Sequence, residues 1–174
     1  MGQYFPDKAF HEIQEMHDFK EIWYSSHLES MNEPSFFELR QDRKIHSYRF
    51  LWLRSFHKPI CVCTEIISDG SAWLASKMTK GIGGSGPGEI FIDVTYPLSK
   101  NKVTTFLSRL EKADFWNMAT NENLKGLDGA QWIIEGVKNG KYHIVDRWSP
   151  EDGPFREAAL YLIKLSKLKT DEIY

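Results

Sequence analysis

Apolar side chains recur at intervals of three and four between residues 7 and 29. Phe10, Ile13, Met16, Phe19 or Lys20, and Trp23 trace one stripe, which predicts an amphipathic helix. Asn32, Glu33 and Pro34 break it. Residues 35 to 46 are mixed and polar, and the cluster Arg40, Asp42, Arg43, Lys44 contains an acid. It reads as a solvated loop before it reads as a phosphate-binding patch. From Tyr48 the period changes. Tyr48 to Phe56 is apolar and aromatic on both faces, as in an interior strand, and Ile60 to Ile67 is a second strand. Asp69-Gly70 is a two-residue hairpin signal, expected to place both residues at positive φ. Ser71 to Lys80 is a third, weaker strand. Glu89 to Tyr96 alternates, with Ile90, Ile92, Val94 and Tyr96 on one face.

Ser99 can cap a helix running to about Lys112, with Val103, Phe106, Leu107 and Leu110 as its buried stripe. Phe115 and Trp116 are expected under the sheet. Ala130 to Val137 and Tyr142 to Trp148 flank Asn139-Gly140, a strong hairpin signal. A last helix, about 155 to 168, buries Phe155, Ala159, Leu162 and Leu165. The expected fold is α+β: an antiparallel sheet made of a four-strand meander (48–96) and a C-terminal β-hairpin (130–148), with three helices at about 7–29, 99–112 and 155–168. At 174 residues the chain reads as one domain.

Composition removes several function classes. The formal net charge is -2, which disfavours a dedicated nucleic-acid binder. No apolar stretch approaches the ~18 residues of a membrane helix. The opening MGQYFPDKAF lacks the charged and apolar regions of a secretory leader, and Pro6 spoils a myristoylation motif. Cys61 and Cys63 are too few for a disulfide framework and read as free core thiols, which favours a reducing cytoplasm. The six histidines do not cluster. His11 and His17 would lie about 240° apart on a helix, so no metal site and no cofactor is expected.

The last hairpin carries the sharpest expectation. A two-residue turn at Asn139-Gly140 pairs Trp132 with Arg147, Ile134 with Val145 and Gly136 with His143. On the other face it pairs Ile133 with Asp146, Glu135 with Ile144 and Gln131 with Trp148. Arg147 over Trp132 would make a cation–π pair. Glu135 and Asp146 share a face on a diagonal of ~7–8 Å. Paired carboxylates at that range suit acid–base work or cation binding; equally, each could pair with an Arg or Lys from elsewhere. Glu135 and His143 point to opposite faces. Arg54, within an apolar strand, must find carboxylates or carbonyls if buried. The loop GIGGSGPG, with Gly81, Gly83, Gly84, Gly86 and Gly88, runs strand to strand and matches no phosphate-loop pattern. It reads as a hairpin loop, with a ligand-covering flap as the functional alternative.

The segments YRFLWLRSFHKPICV (48–62), GIGGSGPG (81–88) and DGAQWIIEGVKNGKYHIVDRWSP (128–150) resemble those of a family of small, uncharacterised bacterial proteins. That family has a YRFLWLRSFH-like strand, a GGxxPG turn and a DGxxWxxE…YHxVxRWSP hairpin. The likeness covers roughly residues 23 to 165. It implies a bacterial source and one compact domain, and it transfers no activity. It directs attention to Arg54, Trp132, Glu135, Tyr142, His143, Arg147 and Trp148. Ser85 stands where an aromatic residue is expected, which weakens a stacking role for the loop.

Trp, Tyr and Arg are enriched at binding hot spots, and no catalytic motif is present. The leading expectation is therefore a non-catalytic protein that binds a partner protein or small ligand through one sheet face or the hairpin of Trp132 and Arg147. The first alternative is an enzyme using Glu135 and Asp146 under the glycine-rich loop. The second is a homodimer built by edge-strand pairing.

Overall fold

A strand with apolar side chains on both faces needs a layer on each side of it, and His46–Arg54 (β1) has both. The computed structural model describes residues 2–122, 126, 128–170 and 172–174. β1 lies inside one six-stranded antiparallel sheet with Ile60–Ile66 (β2), Ala72–Thr79 (β3), Ile90–Leu98 (β4), Ala130–Lys138 (β5) and Lys141–Trp148 (β6), in the order β4-β3-β2-β1-β5-β6. The meander and the C-terminal hairpin are therefore one sheet. They join where β1 pairs with β5, Arg49 opposite Glu135 and Trp52 opposite Trp132. The fold is α+β, as the chain pattern predicts.

Among the described residues four α-helices lie about the sheet, one more than expected. The addition is a single turn, Phe36–Leu39 (α2), whose Ser35 hydroxyl accepts a hydrogen bond from the Glu38 amide. Lys100–Lys112 (α3) and Gly153–Ser166 (α4) cover one face, burying Phe106, Leu110, Phe155 and Leu162 against Tyr48, Phe50, Trp52 and Trp132. Ser99 does precede α3, but its hydroxyl makes no capping bond. The N-terminal segment and Gln14–Ser30 (α1) cover the other face, where Phe5, Phe10, Tyr24 and Leu28 meet Leu51, Leu53, Ile133 and Ile144.

Three local expectations are corrected. Residues 7–13 are not helical. Ala9 closes a turn onto the Pro6 carbonyl, Lys8 is left-handed, and Phe10 enters the core from this irregular segment. Gly70 has φ +86°, whereas Asp69 is not at positive φ. The Gly70 amide bonds the Ile67 carbonyl and the Ile67 amide bonds the Ser71 carbonyl, so the connection is a three-residue loop with a left-handed glycine. In β4 the register shifts opposite Met78/Thr79, with Ile92 facing Met78 and Ile90 facing Thr79. This bulge turns Ile90 away from the face shared by Ile92 and Tyr96.

The hairpin register holds at every predicted pair. Asn139 and Gly140 have φ of 54° and 81°, as a type I′ turn requires. Toward its C-terminal end, the outer edge of β6 meets residues 119–120. The Asp146 amide donates to the Thr120 carbonyl, and Arg147 donates to the carbonyls of Ala119 and Thr120. Among the described residues, no helix is long and apolar enough to cross a membrane.

Candidate functional site

The residues singled out in the sequence fall into three places. On the α3/α4 face Trp132 is fully buried. Its indole lies 5.2 Å from that of Trp52, and its N–H donates to the Tyr174 carbonyl at 2.9 Å. Arg147 stands opposite Trp132 in the ladder, but the cation over the Trp132 ring is Arg156, at 5.6 Å. Arg147 instead lies 5.9 Å from the Phe155 ring and spends its guanidinium on backbone carbonyls and on Glu122 at 3.0 Å. Competition from three carbonyls explains the difference, since a guanidinium satisfies planar acceptors before a ring face. His143 is half-buried against Phe115 and donates from Nε2 to the Met118 carbonyl; burial lowers its pKa. Arg54, also buried, lies 4.2 Å over the Trp52 ring and donates to the Glu172 carbonyl.

The two carboxylates share the opposite face, as their register requires, and each is engaged by a cation. Glu135 accepts from Arg49 Nε and Nη2 at 2.8 and 2.6 Å and from the Tyr142 hydroxyl at 2.9 Å. Arg49 is wholly buried. It also reaches the Pro34 carbonyl and Glu33, which in turn holds Lys77 at 2.7 Å. Asp146 accepts from Lys20 at 2.6 Å and from the Tyr24 hydroxyl at 3.0 Å. Burial pushes both carboxyls up, and the neighbouring cations offset part of that rise. Neither lines the groove described next, so this arrangement supports structural pairing over acid–base work.

The glycine loop is pinned in place. A β-carbon on Gly83 would stand 2.6 Å from the Arg54 carbonyl oxygen, and one on Gly84 would stand 2.7 Å from that of Ser55. The Gly83 amide donates to the His57 carbonyl, while its own carbonyl accepts from the Trp23 indole at 2.8 Å. Glycine is needed here because the loop lies backbone to backbone on the end of β1. In this arrangement the loop forms a wall beside β1.

That wall belongs to a site the sequence reading missed. Of the expected stripe, Ile13, Met16 and Phe19 face solvent (Phe19 66% exposed), whereas Phe10 is buried and Trp23 is half-buried against the core; Ile22, outside that stripe, is 68% exposed. The face turned to the sheet carries His17, Tyr24, His27 and Leu28. Alternation of apolar and polar residues could not reveal this, because two imidazoles and a tyrosine stand where aliphatic residues are expected. His27 is fully buried and neutral, its pKa lowered to about 4 by desolvation, with partial compensation from the Gly83 backbone. Beside the exposed stripe runs a groove of about 630 Å³. Phe10, Met16, Phe19 and Trp23 form one side, Gly84 and Ser55 one end, and Trp148 and Gln131 the sheet side. A second hollow of about 320 Å³ shares Phe19, Trp23 and Gly84 with it. Of the residues expected to bind, Trp148 and Gly84 line the groove; Trp132, Glu135 and His143 do not.

His17, Asp18 and Glu21 are the trio of possible cation ligands among the described residues, with donor atoms within 4.8 Å of one another. His17 Nε2 lies 3.2 Å from Glu21, one helical turn away, which accounts for their proximity without an ion. The chain matches no protein-family model, no curated protein and no solved structure, so the groove's geometry is what speaks for function.

Proposed function

We propose that the protein is a non-catalytic binding module that docks a segment of another protein in the groove between α1, the glycine loop and the end of the β5–β6 hairpin. The supporting observation is the outward turn of Phe19 and Ile22 beside that groove. Leaving such side chains in water forgoes about 2 kcal/mol each, and contiguous exposed apolar surface marks interaction sites. The free thiols Cys61 and Cys63 support a reducing, cytoplasmic setting.

A photo-reactive amino acid at position 19, with a control at the exposed Glu111 on α3, tests the reading in cells. A discrete adduct with one other protein from position 19 alone, lost on Ile22→Ser, is the expected result. Equal labelling from both positions, or none from position 19, would overturn it.

A second reading, a homodimer through β4, rests on a different observation. β4 is an edge strand whose Phe91 and Val94 are exposed beside Trp73. Sedimentation equilibrium decides it: a monomer at high concentration removes the reading.

A further inference from the structure

The charge around the groove narrows what can occupy it, given the docking reading above. We propose that the docked segment is an amphipathic helix bearing basic side chains beside its apolar anchors.

Within α1, Glu15, Asp18, Glu21 and Glu29 stand against Lys20 alone, a net of -3 in a chain whose total is -2. Lys20 lines the groove, but its ammonium is turned onto the buried Asp146 carboxylate, so most of its charge is spent there and the helix face keeps its acidic excess. At about 100° per residue, Glu15, Phe19 and Ile22 fall within one outward sector of the helix, with Asp18 and Glu29 at its margin. Carboxylates therefore stand between the exposed apolar side chains. Of the acids that line the groove itself, Glu15 stands on the exposed face of α1, while Glu122 is paired with Arg147 and adds no net charge.

Two adjoining hollows, separated by Phe19 and Trp23, suit two apolar anchors projecting from one face of a helix. The acids then select the residues around those anchors. A second copy of α1 would bring acids against acids. An anionic lipid surface would be repelled in the same way, so charge disfavours both occupants.

Fluorescence anisotropy on the full chain tests this with labelled peptides of about 18 residues. One is a Leu/Lys peptide patterned as an amphipathic helix, the second a Leu/Glu peptide of the same pattern, and the third a scrambled Leu/Lys peptide. The patterned Leu/Lys peptide is expected to bind at least about ten-fold tighter than the other two. Phe19→Ser with Ile22→Ser should abolish that binding. Glu15→Lys with Asp18→Lys should reverse the preference toward the Leu/Glu peptide. Equal binding of the scrambled or Leu/Glu peptide, no binding of the patterned Leu/Lys peptide, or indifference to the Phe19 and Ile22 changes would overturn the proposal. Circular dichroism of each variant guards against misfolding. A specific adduct from position 19 alongside no charge preference would leave the docking reading standing and remove only the basic helix.

Discussion

Lys20 on α1 reaches the Asp146 carboxylate on β6 at 2.6 Å, and Tyr24, one turn further along, adds its hydroxyl at 3.0 Å. This polar latch joins helix to sheet through the carboxylate that the sequence suggested for catalysis. Lys20→Met would leave Asp146 buried with a hydroxyl alone. A loss of about 2–3 kcal/mol in urea denaturation is expected, below the full range for buried pairs because Lys20 is partly exposed. Without its cation the carboxyl's folded pKa rises further above the unfolded value. The variant's deficit should therefore shrink as pH falls and the carboxyl takes up a proton. A deficit that grows on acidification would contradict this account.

Arg49 and Glu135 should behave as one unit. Either Arg49→Met or Glu135→Gln strands a buried group and should cost about 3–5 kcal/mol. The double variant should cost clearly less than the sum, since each change alone leaves the other partner unsatisfied. Chemical denaturation of the four proteins gives the coupling directly; additive losses would show that the pair is not coupled.

His27 makes the fold acid-labile. Its folded pKa of about 4 lies below the unfolded value near 6.5, so the unfolded chain binds the extra proton between those limits. The neutral ring's contribution is present above pH 6.5 and is lost as pH falls toward 4, amounting to about 3 kcal/mol. His46, half-buried and also lowered to about 4, adds a smaller term in the same window. Stability measured from pH 7 to 4 should fall less steeply in His27→Leu than in the native chain. Parallel curves would exclude His27 as the cause.

Two glycines of one loop should respond in opposite ways. Gly83→Ala places a methyl group into the backbone of Arg54 and should lower stability by about 1–3 kcal/mol, while detaching the loop from Trp23. Gly86, with nothing within 4 Å of a new β-carbon, should accept alanine within about 0.5 kcal/mol. Thermal melts of the two variants check the contrast.

Local chemistry made parts of the fold readable. Asn139-Gly140 admits one tight turn, and that turn sets every pair from Gln131–Trp148 to Val137–Tyr142. β1 and β2 follow from continuous apolar runs, most of β4 from a period of two, and the stripes of α3 and α4 from a period of 3.6. What escaped depends on distant parts of the chain. The Arg49–Glu135 pair requires β1 to meet β5 across 86 positions, which no local pattern records. On α1 Phe19 and Ile22 face outward because His17, Tyr24, His27 and Leu28 fill the side turned to the sheet. Tyr24 brings a hydroxyl that Asp146 needs, and a purely aliphatic face could not have latched the helix. The rule that the apolar stripe faces inward therefore fails at the surface proposed to bind.

Toward its C-terminal end the edge of β6 meets residues 119–120, through Thr120 and Asp146, while β4 keeps its outer side open but marked by a bulge near Phe91 and by Pro97. A sheet with two open edges can lengthen copy upon copy. With that end of β6 engaged by residues 119–120, a copy added on β4 through its own β4 leaves no β4 edge for a third. Pairing of sheets edge to edge would therefore favour a closed pair over an open-ended stack.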